Sequence, residues 1–311
     1  AAGDKFLLDS KVILQLVGGV FTPWNVANGN ATAIVEGNSV FWVGTNNDYV
    51  QILRTTTLGQ AFPVDLRHSD IASNWVRSIN ASNGGNILLT HDKGVQKYDL
   101  ATRTFTDSWG LNTGYENFNE AIELNGKLYS GTSSSYLYEF VSSDSFKILG
   151  NGILPDNEVS HLAKDNLGNL WLCGPGYIAK YNGNNFTIYN STNNANLTTN
   201  LYLRDIHFDV TRNVVWVSSF EGIFKIQNGI LSFYNATTPG IQQYYDVVEM
   251  ITEDDQHNIW FGTVYGGIIK FDGTSFSTMV LPETAGNQYV TGIQFDGNTM
   301  YVSDNLHGIW K

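Results

Sequence analysis

The sequence predicts an all-β fold, a seven-bladed β-propeller of four-stranded antiparallel blades, on three observations. A strand phrase returns seven times, at Trp42, Leu88, Tyr129, Trp171, Trp216, Trp260 and Tyr301, with successive copies 41 to 46 residues apart. In each, a hydrophobic strand core is followed by a glycine or small residue two places on, and then by a turn. A period in the low forties with strand content is the mark of propeller blades. Seven periods take up nearly all of the 311 residues, so the chain reads as one repeat domain over 1–311. No segment sustains a 3.6-residue apolar period, and no long helix is expected.

From the amino terminus, Gly3-Asp4-Lys5-Phe6-Leu7-Leu8 resembles an outer-strand phrase, Gly273-Thr274-Ser275-Phe276. The last repeat ends at Gly308-Ile309-Trp310-Lys311 with three strands and no outer one. Joining the two ends places Phe6 sixteen residues after Tyr301, the spacing from Trp260 to Phe276. The N-terminal strand is therefore expected to close the last blade, which would remove the exposed edges of a linear array.

The first three repeats carry the phrase loosely, and the fourth is the cleanest. Glu158-Val159-Ser160-His161-Leu162-Ala163 alternates as an inner strand, and Asp165-Asn166-Leu167-Gly168-Asn169 is a turn. Leu170 to Cys173 and Tyr177 to Tyr181 follow as strands; Asn182-Gly183-Asn184 turns the chain into Phe186 to Tyr189. Asn-Gly between alternating apolar residues is a strong hairpin signal. The sixth repeat runs the same way, from Val247 through Trp260 and Ile268-Ile269-Lys270-Phe271 to Phe276.

Composition excludes several classes. Seventeen basic against 29 acidic residues give a net charge of −12, which argues against nucleic acid and against anionic membrane surfaces. No stretch approaches the ~20 apolar residues of a membrane helix, so no direct membrane insertion is expected. Cys173 is the single cysteine, which rules out an internal disulfide. It stands where Gly44, Gly131 and Gly262 stand in other repeats, as a small buried residue. The six histidines form no metal spacing, and no metal or cofactor is implied. His68, His91 and His307 are placed in loops of the binding face; no catalytic residue is assigned. Asp165, Asp209, Asp254 and Asp296 recur in the first hairpin turn, where Asp is a turn former. Asn-x-Ser/Thr triplets at Asn30, Asn80, Asn185, Asn190, Asn196 and Asn235 arise readily by chance in a chain so rich in these residues.

The long connections between blades run from Arg67 to Trp75, Asp107 to Phe118, Asn190 to Tyr202, Asn235 to Asp246 and Leu281 to Tyr289. Long loops on a rigid scaffold are where binding residues gather. Inner strands aligned on Ile79, Ile122, Leu162, Ile206, Ile251 and Ile293 show a column four residues earlier: Trp75, Phe118, Glu158, Tyr202, Val247 and Tyr289. Four aromatic residues in six can form a stacking platform at one rim, or can pack between blades. Two residues before each anchor stand Arg77, Glu120, Ser160, Arg204, Glu249 and Thr291. Here Arg77 and Arg204 can grip an anion by paired hydrogen bonds, or can pair with Glu120 and Glu249. The expected ligand site is Trp75, Arg77, Phe118, Tyr202, Arg204 and Tyr289. Asp107, Glu116, Glu120, Glu158, Asp246 and Glu249 are the carboxylates from which a catalytic pair would have to come.

The phrases Asp165-Asn166-Leu167-Gly168-Asn169-Leu170-Trp171 and Asp254-Asp255-Gln256-His257-Asn258-Ile259-Trp260-Phe261-Gly262-Thr263 resemble two-component regulator propeller repeats. The resemblance implies a seven-bladed fold, an extracytoplasmic place (periplasmic, cell-surface or secreted) and a sensor or recognition role, often toward a glycan fragment. The WD-repeat pairs are absent, as are the glutamate and Ile-Gly-Arg signatures of virginiamycin B lyase-like propellers. The function expected is a non-enzymatic module binding a glycan or other small polar ligand at the channel mouth. The alternatives are a polysaccharide lyase or hydrolase on the same scaffold, and a scaffold binding a partner protein's loop.

Overall fold

The computed structural model describes residues 76–82, 86–99, 102, 104–111, 117–243, 247–265, 267–280 and 289–296, and the strands outside those ranges. Every element among them is a β-strand. The first sheet holds β1 (Lys5–Asp9), β2 (Val12–Val17) and β3 (Val20–Asn25), and the second β4 (Ala31–Gly37), β5 (Val40–Thr45), β6 (Val50–Thr55) and β7 (Ala61–Asp65). Next come β8 (Val76–Ala81), β9 (Ile87–His91), β10 (Gly94–Asp99) and β11 (Thr104–Trp109). The fourth sheet is β12 (Phe118–Leu124), β13 (Lys127–Thr132), β14 (Leu137–Ser142) and β15 (Ser145–Leu149). The fifth is β16 (His161–Lys164), β17 (Leu170–Gly174), β18 (Tyr177–Tyr181) and β19 (Phe186–Asn190). The sixth is β20 (Leu203–Asp209), β21 (Val214–Ser219), β22 (Gly222–Gln227) and β23 (Ile230–Tyr234). The seventh is β24 (Val248–Glu253), β25 (Ile259–Thr263), β26 (Gly267–Phe271) and β27 (Phe276–Val280). The last holds β28 (Val290–Asp296), β29 (Thr299–Asp304) and β30 (Gly308–Trp310).

Each sheet is a meander, with its strands paired in chain order. The seven anchors fall on the second strands, from Trp42 in β5 to Tyr301 in β29. One expectation is corrected. The N-terminal strand does not pair as the outer strand of the last sheet: β1 pairs with β2, and β28–β29–β30 is a three-stranded sheet of its own. The sheets therefore number eight among the described strands, where the repeat gives seven. The apolar run Val12–Val17 begins three residues after β1, so a local hairpin is reached at far less loop-closure entropy than pairing with residue 308. The first strand still lies against β28 and β29.

The chain packs as two compact units, one of residues 163–311 with 1–9 and 14–23, the other of residues 24–162 with 10–13. In the third to seventh sheets, burial falls from the second strand to the outer edge. Strands β9, β17, β21 and β25 are buried at every position, whereas β11 and β15 are largely open to solvent and β19 and β23 are mostly half-buried. A strand covered on both faces needs a continuous apolar run, which Leu170-Trp171-Leu172-Cys173 and Val214-Val215-Trp216-Val217 supply. In the first unit, Trp171, Cys173, Leu203, Ile206, Val217 and Phe224 share one core cluster, and Trp216, Val248, Ile251, Phe261 and Phe276 another. In the second unit Leu88, Val95, Phe118, Ala121, Tyr138 and Phe140 do the same.

The small residue of the repeat has a packing cause. A Cβ on Gly131 would stand 2.5 Å from the Val159 carbonyl oxygen, and one on Gly262 would stand 2.8 Å from Val290 Cγ1. At these two glycines the start of, or the lead into, the next sheet's inner strand approaches, leaving room for little more than a hydrogen atom. Cys173 holds the corresponding position and is wholly buried, as expected of it.

The recurring Asp is more than a turn former. Asp165 accepts from the Leu167 and Asn169 backbone N–H groups, from the Asn169 side chain, and from Trp171 Nε1 at 3.0 Å. Asp254 does the same with Gln256, Asn258 and Trp260 Nε1 at 2.8 Å. Burial alone would raise both carboxyl groups, but the hydrogen bonds outweigh it and hold them below the usual carboxylate range. One carboxylate thus ties the hairpin to the anchor tryptophan. In the sixth sheet the turn is one residue longer, and Asp209 bonds Arg212 instead, at 2.7 Å. Across three of the four anchor tryptophans the third strand presents a lysine: Trp171 faces Lys180, Trp216 faces Lys225 and Trp260 faces Lys270, whereas Trp42 faces Ile52. The ammonium groups stand 5.0–5.6 Å from the ring centroids, within cation–π range.

Candidate functional site

Six inner strands, β4, β8, β12, β20, β24 and β28, carry a β-bulge at their second residue. The register shifts between Val76 and Ser78, Phe118 and Glu120, Leu203 and Asp205, and Val248 and Met250. A bulge leaves one residue outside the ladder and re-aims it. In the described residues these are Arg77, Asn119, Arg204 and Glu249. The residue before each bulge is buried, as is the residue two places after it: Val76 with Ile79, Phe118 with Ala121, Leu203 with Ile206, Val248 with Ile251.

This register corrects the sequence alignment of the third repeat by one residue. Its equivalent anchor is Ala121 rather than Ile122, so Asn117 occupies the rim column and Phe118 falls on the buried position. Phe118 is fully buried, T-shaped to Tyr138 at 5.6 Å and stacked on Phe140 at 6.2 Å, and no ligand can reach it. For this ring the packing alternative holds. The same shift aligns Glu120 with Asp205, and the two make the same bond. Glu120 accepts from Leu162 N at 2.9 Å, and Asp205 from Ile251 N at 2.8 Å, each tying one inner strand to the next. Glu120 also accepts from Asn80 Nδ2 at 3.2 Å.

Trp75 lies outside the described residues, as do His68, His307, Glu116 and Asp246. Arg77 is half-buried at the bulge of β8, in the second unit. His91 is not a loop residue; it ends β9 and is wholly buried. Its Nδ1 accepts from Lys93 N at 3.2 Å and its Nε2 meets Gln96 Oε1 at 3.1 Å. Burial lowers its pKa to about 4, against the opposing Gln96 bond, so the ring is neutral at pH 7 and structural. Asp107 is also moved: it sits within the outer strand β11, opposite Lys97, away from any inner strand. Glu158 accepts from the Ser160 hydroxyl at 2.9 Å.

The first unit holds the remaining predicted residues. Tyr202, just before β20, is 58% exposed, and Tyr289, just before β28, is 43% exposed. Phe220 in the β21–β22 turn stands 6.1 Å from Tyr202, ring to ring, and is itself open to solvent. Arg204 lays its guanidinium over Phe220 at 5.1 Å. The same guanidinium donates through Nε to Glu249 Oε2 at 3.0 Å and through Nη2 to Glu249 Oε1. Arg204 therefore pairs with a carboxylate of the next inner strand, which is the alternative the sequence allowed. The result is an open aromatic pair floored by a fixed, charge-neutral Arg–Glu fork that still presents N–H donors and carboxylate acceptors. Tyr265, in the β25–β26 turn, is exposed at the same end of the neighbouring sheet. Sequence alignment misses Phe220 and Tyr265, because they fall four and five residues after Trp216 and Trp260 and share no column. Their signal is a large aromatic ring in a short turn, where turn-forming residues are the rule.

The opposite end of this unit's sheets is occupied by its own side chains. Glu253 lies between two imidazoles, His207 Nε2 at 3.1 Å and His257 Nδ1 at 2.6 Å, and Arg212 spans from Asp209 to the His257 carbonyl.

No protein-family model matches the chain, and no curated protein matches it in sequence. Solved structures do match it. The extracellular domain of a protein named as a hybrid two-component system, BT3049 from B. thetaiotaomicron, superposes with a TM-score of 0.69 at 17% identity. The match covers 98% of this chain and 44% of that one, so the chain spans less than half of that relative. A catalytically inactive virginiamycin B lyase from Staphylococcus aureus, with quinupristin, has a TM-score of 0.68 at 13% identity, covering 98% of this chain and 96% of that one. PorZ, a surface component of the type-IX secretion system of Porphyromonas gingivalis, has a TM-score of 0.58 at 14% identity, covering 99% and 50%. At such identities the likeness is one of fold. The resemblance that the fifth and seventh sheets show in sequence to two-component regulator propellers has its counterpart at that level. Among the described residues no helix is long and apolar enough to cross a membrane.

Proposed function

We propose that this chain is an extracytoplasmic recognition module of the propeller type, acting as one domain, that binds a neutral glycan fragment or similar polar ligand. The site is the end of the sheets that carries Tyr202, Phe220, Arg204 and Glu249, with Tyr289 and Tyr265 at the same end of the neighbouring sheets. One observation carries the reading: an exposed aromatic pair, Tyr202 against Phe220, with Phe220 packed on an arginine that its carboxylate partner already holds still. Rings with an apolar face and a polar rim suit a sugar's alternating faces. A fork fixed before binding loses little side-chain entropy when a ligand arrives. Because Glu249 neutralises Arg204, the pair favours hydroxyl-rich ligands over acidic ones. Trp75 and Arg77, which belong to the other unit, are ligand-binding proposals by their place in the repeat alone and form no part of the Tyr202 site. Likeness to the extracellular domains of two-component systems supports both the compartment and a sensor-like role.

The lyase-like fold relatives favour a second reading, an enzyme on the same scaffold. Binding of a neutral-glycan panel, with product release followed in parallel, separates the two. The recognition reading expects saturable binding without turnover, weakened about tenfold or more by Tyr202→Ala or Phe220→Ala, as for a central aromatic contact. Turnover abolished by Glu249→Gln would establish the enzyme instead.

A further inference from the structure

A concave site lies in the other unit, between the β8–β11 and β12–β15 sheets, at their short-hairpin end. It encloses about 660 Å³ and is walled by Trp109, Phe140 and Val141, with Lys97, Lys127 and Lys147 around it. That volume falls within the ~300–1,000 Å³ typical of small-ligand pockets.

The charges here do not cancel. Lys97 and Glu123 form a largely buried pair at 2.7 Å, with Ser82 also donating to Glu123 at 2.6 Å. Lys127 and Lys147, in contrast, share a single carboxylate oxygen, Oε1 of Glu139, at 3.1 and 3.3 Å. The other oxygen accepts from Tyr129 at 3.2 Å. Burial works to raise this carboxyl, but the two lysines overcome it and keep it ionised. Two ammonium groups on one carboxylate leave a surplus of one positive charge in a protein whose net charge is −12. Each ammonium has three donors and spends one on Glu139. Both lysines line the cavity and their side chains remain 49% and 64% exposed, so the other donors are open to solvent. The position itself is telling. Glu139 pairs across β13 with Tyr129, where the equivalent pairs of three other sheets are Trp with Lys. The sign of the third-strand charge is reversed here, and lysines are gathered onto it from two strands.

We propose that this cavity binds a monoanionic sugar, a hexuronate or a sulfated hexose. Its anionic group takes the free donors of Lys127 and Lys147, and its ring lies against Trp109. The site is independent of the one at Tyr202.

Calorimetric titration of the intact chain at low salt tests it, using a hexuronate disaccharide, a sulfated hexose disaccharide, the uncharged disaccharide and inorganic sulfate. Either anionic disaccharide is expected to bind about tenfold or more tighter than both the uncharged sugar and sulfate, as a charge-assisted contact to a sugar should. Affinity should fall as salt rises and screens the lysines. Lys147→Ala, at an exposed position, should weaken binding about tenfold while melting stays near wild type, and Tyr202→Ala should leave binding unchanged. Anionic sugars binding no better than the neutral sugar or sulfate would overturn the proposal. So would Lys147→Ala leaving affinity intact, or a loss seen with Tyr202→Ala alone.

Discussion

Replacing Asp254 with alanine removes the carboxylate that four donors converge on, at 2.7–2.9 Å: the Gln256 and Asn258 backbone N–H groups, Asn258 Nδ2 and Trp260 Nε1. Hydrogen bonds to a charged group contribute about 1.5–3 kcal/mol each when broken singly, and less than their sum when broken together. The backbone donors can turn to water, whereas the indole N–H of Trp260, a residue only 7% exposed, cannot easily do so. A loss of about 3 kcal/mol is therefore expected, in the range of a broken buried network. At roughly 2–4 °C per kcal/mol for a cooperative unit of 150–250 residues, melting should fall by about 6–12 °C at pH 7. The pH dependence supplies an internal control. Because the folded carboxyl sits below its unfolded value, its contribution is present above that unfolded value and is lost as pH falls through the folded one. The gap between wild type and Asp254→Ala should thus narrow in strong acid. Calorimetric melting at several pH values measures both. A variant melting within about 1 °C of wild type at pH 7, or a gap independent of pH, would refute the reasoning.

Two further outcomes follow from the buried and paired groups. His91 has a folded pKa of about 4 against an ordinary 6.5, so the unfolded chain takes up the proton first. Stability should fall by about 3 kcal/mol between pH 6.5 and 4, and urea titrations should show most of that loss missing in His91→Gln. Glu249→Gln should leave Arg204 with a net positive charge, costing about 1 kcal/mol of stability. It should also raise affinity for acidic over neutral sugars at the Tyr202 end, a reversal that a binding panel would detect.

The period and the strand content were legible because each blade must bury its second strand on both faces, and Leu170–Cys173 and Ile259–Gly262 state that plainly. The β-bulge was not legible. It adds a residue without changing composition, and beside it Ile122 looks a better anchor than Ala121. That single slip placed Phe118 on the rim instead of in the core. The hairpin at the amino terminus escaped for another reason: repeat logic ranks similarity to a distant strand above the local partner at Val12–Val17. Arg204 was legible as a polar residue on an inner strand, and Glu249 as its possible partner, but Phe220 was not, since its role comes from a turn folding over the arginine. Asp165 and Asp254 were read as turn formers; their reach to the tryptophan indole depends on a six-residue spacing that Asp209 and Trp216 exceed by one.

Hydrogen-exchange mass spectrometry with a neutral-oligosaccharide pool tests the central claim most directly. Ligand-dependent protection is predicted in peptides spanning residues 201–205, 218–222 and 247–250, at the end that carries Tyr202, Phe220, Arg204 and Glu249. The turns at 165–169, 210–213 and 254–258, at the opposite end, should exchange as in the free protein. Protection confined to those opposite turns would contradict the account.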